Sequence, residues 1–89
     1  MSQLSTAEGI AILGGAFQPL FCAVDDLGPG KGGRFTVFAP DRSRILSVPD
    51  VPAYVLQTPI ILEAFVEQAR AKVRAKGYVL AVWSFPKSP

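Results

Sequence analysis

The chain has 89 residues, enough for one small domain that buries about 60–65% of its unfolded surface. Apolar residues make up 49% and charged residues only 18%, so a short sheet and one helix leave apolar surface over, the mark of a dimer or partner interface. With no histidine, one cysteine and a net charge of +2, the composition argues against histidine-based catalysis, zinc sites, an intrachain disulfide and a dedicated nucleic-acid binder.

Met1 to Thr6 is polar and is expected to be loose. Ser5 and Glu8 then have capping-box spacing ahead of Ile10, Ile12 and Leu13, which fits a short helix. Gly9, Gly14 and Gly15 weaken it, and an extended segment fits nearly as well. The apolar stretch 9–24 has no base before it and is interrupted by glycines, Gln18 and Pro19. It suits neither a spanning helix nor a signal peptide, so a cytoplasmic protein without membrane contact is the default.

Phe17 to Val24 reads as a strand, with Pro19 confining its start to an edge or bulge. Residues 25–33 form a turn-rich loop. Gly28 to Gly33 satisfies G-x-G-x-x-G, but a dinucleotide fingerprint needs a helix after it, and here a strand follows. Lys31 also lacks the Ser or Thr that a Walker loop places next. These residues make a flexible hairpin loop that could touch a partner through Lys31 and the bare backbone of Gly30. Arg34 to Ala39 and Arg44 to Val48 pair across Pro40-Asp41-Arg42-Ser43 as the clearest hairpin in the chain.

Pro49 to Gln57 contains two prolines and is expected to cross over extended, with a short strand at Tyr54 to Leu56. The run Pro49-Asp50-Val51-Pro52, Gln57 and the following Glu63-Ala64 faintly resemble the HicB-type antitoxin domain. That family has a Pro-Asp-x-Pro turn, a glutamine-containing bend and a helix beginning near Glu-Ala, in the order β-β-β-α-β. The likeness is confined to residues 49–64 and departs at Thr58-Pro59-Ile60, where the family has Gly-Asp-Thr. It implies a protein-neutralising role, and the fold and sites expected of this chain do not rest on it.

Thr58 to Tyr78 is the stretch around which the rest is organised. Thr58 is placed to cap, Pro59 suits the first helical position, and Gly77 can close the helix in a left-handed conformation. Leu62, Val66, Ala69 and Val73 make one buried stripe, flanked by Ile61 and Phe65. Glu67 and Arg70 have ion-pair spacing. Tyr78 to Phe85, apolar on both faces, is expected inside the sheet.

The expected fold is therefore a single α+β domain over residues 1–89, with 1–6 and 86–89 loose. A small antiparallel or mixed sheet of three to four strands, β-β-β-α-β, packs on one amphipathic helix, with a short N-terminal helix as a further option. Catalysis has poor candidates: Cys22 sits in an apolar strand, and Asp25 and Asp26 lie in a solvated loop. No cofactor or metal is expected. The function that fits is a small non-enzymatic protein-interaction module, an inhibitor or regulator, or a homodimer, using an apolar or edge-strand surface at Trp83 and Phe85 with Gly30 and Lys31 at its rim. The alternative is a nucleic-acid module using Arg42, Arg44, Arg70, Lys72, Arg74 and Lys76, in which the basic side chains of the helix end and hairpin would neutralise phosphates.

Overall fold

The computed structural model describes residues 4–28 and 30–85. Expectations for Met1 to Gln3 and Pro86 to Pro89 lie outside them. The elements are α1 (Thr6–Gly14), β1 (Phe21–Asp26), β2 (Gly33–Phe38), β3 (Arg44–Val51), α2 (Ala53–Gln57) and α3 (Pro59–Ala75). The three strands form one antiparallel sheet in the order β1-β2-β3, which with α3 makes the expected α+β fold.

The N-terminal helix forms because its cap is complete. The Ser5 hydroxyl accepts from the Glu8 amide at 3.1 Å, and the Glu8 carboxylate accepts from the Ser5 amide at 2.8 Å. Gly9, which weakens the helix by propensity, is what lets it pack: a Cβ there would collide with the Leu56 carbonyl oxygen of α2. Leu4 is not loose either, since its amide donates to the Gln57 carbonyl at 2.8 Å. Residues 53–57 are helical rather than a strand. Pro52, with φ −57° and ψ 147°, leads into the helix, and the adjacent Val55 and Leu56 are both buried while Tyr54 is exposed. A strand would have turned neighbouring side chains to opposite faces.

The expected first strand starts late. Ala16 and Phe17 are fully buried in the turn after α1, and pairing begins at Phe21, after the cis Gln18–Pro19 peptide. Opposite register positions put Cys22 beside Val37 and Val24 beside Phe35 on the core face. Phe21, Ala23 and Asp25 face outward with Phe38, Thr36 and Arg34. In the β1–β2 loop, Gly32 has φ +81° and lies against Val51, where no side chain fits. On the core side, the Phe17 ring stacks on Phe35 at 5.6 Å, and Phe65 of α3 meets Phe35 edge-on at 5.8 Å.

The predicted stripe of α3, Leu62, Val66, Ala69 and Val73, is buried, and Gly77 closes the helix with φ +97°. Thr58, however, makes no side-chain cap; only its carbonyl is used, accepting from the Leu62 amide at 2.8 Å. Arg70 is the fifth buried residue of the face, so the expected Glu67–Arg70 ion pair does not form. Among the described residues the ion pair present is Arg34–Asp25, at 3.0 Å on the exposed sheet face.

Tyr78 to Phe85 is not a fourth strand. It lies outside the sheet without regular structure, with its Ala81 amide donating to the Gln18 carbonyl at 2.8 Å. Arg70 fixes it there, donating to the Ala16 carbonyl at 2.6 Å and to the Ala81 carbonyl at 2.7 Å. The Trp83 ring lies 5.9 Å from the guanidinium, in cation–π range. Leu80, Trp83 and Phe85 turn toward the core, while Val79 and Val82 project outward. That spacing is not the alternation of a strand, which a wholly apolar run could not reveal.

Candidate interaction surface

β1 is an edge of the sheet, and an edge strand leaves a row of backbone N–H and C=O groups without sheet partners. At its first residue Phe21 is 66% exposed, its ring 5.8 Å from that of Phe38 across the strand pair. Two concavities meet at this point. One, of about 500 Å³, lies on the side of the β2–β3 turn and is lined by Pro19, Leu20, both phenylalanines, Pro40 and Arg42. The other, a more open groove of about 900 Å³, runs between Leu20–Cys22 and Val79–Ala81. Val79 and Val82 beside it are 85% and 101% exposed.

The local sequence explains the arrangement. Pro19 and Pro40, one before β1 and one in the β2–β3 turn, bracket the phenylalanine pair. The turn is closed by the Ala39 amide donating to the Ser43 carbonyl and the Arg42 amide donating to the Ala39 carbonyl, both at 2.8 Å. Arg42 takes the left-handed conformation, φ +71°. Asp41 is turned to Ser43, accepting from its amide at 3.0 Å and its hydroxyl at 2.6 Å, and those two bonds hold its carboxyl below the usual range. Arg42 is left as the charged side chain lining the slot.

The residues expected to carry binding are spread out. Trp83 and Phe85 meet edge-on at 6.2 Å, as their shared face implied, but both are half-buried against the core. Gly30 and Lys31 are exposed at the tip of the β1–β2 loop, which packs on Val51 and Ala53, so they do not rim Trp83. The six bases divide. Arg70 is consumed internally, and Arg74 is exposed on α3. Lys76 donates to the Ile45 carbonyl at 2.8 Å, Lys72 borders a shallow dip against Leu46 and Val48, and Arg44 lies opposite Phe38 in the strand register. Arg42 and Arg44 are exposed on the hairpin.

Burial pushes the Cys22 thiol up to about 12, leaving it protonated and unreactive near neutrality. Among the described residues no group of three or more His, Cys, Asp or Glu side chains could hold a metal ion, and no helix is long and apolar enough to cross a membrane. The sequence hides the Phe21–Phe38 pair, because the apolar run from Phe17 reads as one longer strand with Phe21 in its interior. The signal was there: Pro19 and Pro40 sit at the two ends that hairpin pairing brings together. Comparison with protein-family models, curated proteins and solved structures finds no match for this chain.

Proposed function

We propose that this chain is a small non-catalytic protein-interaction module, a regulator or inhibitor that grips a partner protein at the β1 edge. One observation carries the reading: an unpaired sheet edge begins at an exposed phenylalanine seated between two apolar concavities. An edge strand binds extended chain through its main-chain groups, and adjoining pockets take alternate side chains. Relative to the sequence expectation the surface moves from Trp83 and Phe85 to Phe21, Phe38 and the outward valines. Trp83 then supports the wall of the groove through Arg70 rather than meeting the partner.

The test is affinity capture of the tagged full chain from its source lysate with nuclease added, comparing wild type with Phe21→Asp. One stoichiometric protein should survive nuclease with wild type and be lost with the variant, whose melting temperature should stay within a few degrees. Undiminished capture by Phe21→Asp would place the interface elsewhere. Recovery of a second copy of this chain alone would make the surface a dimer interface.

A nucleic-acid role is the second reading, favoured by Lys76 and Lys72, which α3 brings against β3 at Ile45 and at Leu46 and Val48. It requires binding that falls steeply with salt. Recovery that disappears with nuclease would bring it forward.

A further inference from the structure

We infer that the slot between Phe21, Phe38 and Arg42 receives an aromatic or apolar side chain of the partner protein with a carboxylate next to it, so that the partner segment is acidic there. This rests on the interaction reading and names the chemistry of its anchor. The slot, about 500 Å³, falls within the size range of ligand pockets and is apolar except for one cation. Pro19, Pro40 and Leu20 wall it, and two phenyl faces 5.8 Å apart offer edge and face contacts to a ring.

Arg42 supplies the sign. Its backbone is held at φ +71°, a conformation that disfavours a side-chain-bearing residue, and an arginine there brings a guanidinium to the rim of the aromatic pair. Its neighbour Asp41 is already satisfied by Ser43 and does not line the slot. Arg34, the other base of the outer face near β1, is paired with Asp25 at 3.0 Å. Among the described residues Arg42 has no carboxylate partner, and its guanidinium beside two rings suits a carboxylate, which it can hold in a bidentate pair; exposed Arg44, opposite Phe38 in the strand register, adds to the positive sign of this end of the sheet. A nucleic-acid strand would call for several cations following successive phosphates.

The experiment is a chemical-shift titration of the isotope-labelled full chain with three defined probes: acetyl-Gly-Phe-Glu-Gly-amide, acetyl-Gly-Phe-Lys-Gly-amide and a thymidine tetranucleotide. The glutamate peptide should shift the amides of Phe21, Phe38, Ala39 and Arg42, and the lysine peptide should bind at least about threefold more weakly. Arg42→Gly removes the cation while easing the backbone, so unfolding cannot account for lost binding. It should weaken the glutamate peptide about threefold and leave the lysine peptide unchanged, and Arg42→Lys should restore most of the difference. Equal binding of the two peptides, or shifts away from the slot, would overturn the inference. Stronger binding of the tetranucleotide at the slot would overturn it in favour of nucleic acid. If capture of a partner protein depends on Phe21 but not on Arg42, the interaction reading stands and only its acidic chemistry falls.

Discussion

Arg42 and Arg70 show how differently one residue type is used in this chain. At φ +71° Arg42 occupies a conformation that glycine adopts without strain. Arg42→Gly is therefore expected to raise stability by about 0.5–1 kcal/mol, read as a higher urea midpoint. An unchanged or lower midpoint would mean that the side chain contributes contacts to the fold. Arg70, by contrast, is 4% exposed and bridges the turn at Ala16 and the C-terminal segment at Ala81 with one donor to each carbonyl, beside the Ala81 amide bond to Gln18. Arg70→Met keeps the stem but leaves those carbonyls short of donors, at a cost of about 2–4 kcal/mol in urea unfolding. A loss below about 0.5 kcal/mol would show that water replaces the guanidinium. Neither role was legible in the sequence: Arg70 has the spacing of an exposed helical pair with Glu67, and only the tertiary position of Ala81 and Ala16 reveals what it does.

Elements were legible where a local signal fixes them and illegible where packing decides. Pro59, the 62–66–69–73 stripe and Gly77 announced α3, whereas Ser5 and Glu8 offered α1 only as one of two options, because the glycines around them fit an extended segment nearly as well. The hairpin of β2 and β3 followed from alternation and turn chemistry. Tyr54-Val55-Leu56, with aromatic and β-branched residues, resembled a strand and formed a helix because both Val55 and Leu56 must be buried. Tyr78 to Phe85 misled in the same way. Gly9 makes a sharper test of this contrast. Glycine to alanine inside a helix ordinarily gains about 0.5–1 kcal/mol, yet here the new Cβ meets the Leu56 carbonyl. Gly9→Ala should instead lose about 1–3 kcal/mol in thermal or urea unfolding. A gain would mean that α1 and α2 can separate at no cost. β1 has its own probe in Cys22. The unfolded thiol ionises at its usual 9.0 and burial raises the folded one to about 12, so its contribution is whole below about pH 9 and is lost as pH rises toward 12. Cys22→Ala should flatten that alkaline decline, and an identical decline in both proteins would show that the thiol is not shielded.

The whole molecule is thin. Its principal extents are 37, 27 and 17 Å, and the shortest accommodates two packed layers, sheet and helix, and not a third. Among the described residues one sheet face stays uncovered and carries exposed Phe21 beside Phe38, while the rest of the apolar surplus is exposed at Tyr54, Ile60 and Ile61 on the helices and at Val79 and Val82, not at Trp83. The surplus could be read from composition; its place depended on where β1 starts and on Arg70 drawing the C-terminal segment out of the sheet. The measurement that tests this account most directly is backbone amide exchange on the tagged protein, free and with its captured partner bound. Slowed exchange across Leu20 to Val24 is the expected footprint, since a partner added at the edge would take up the amides that β1 leaves open. Protection confined to Arg44, Lys72, Arg74 and Lys76, with β1 exchanging as in the free protein, would contradict the edge-strand interface and assign function to the basic side of the domain.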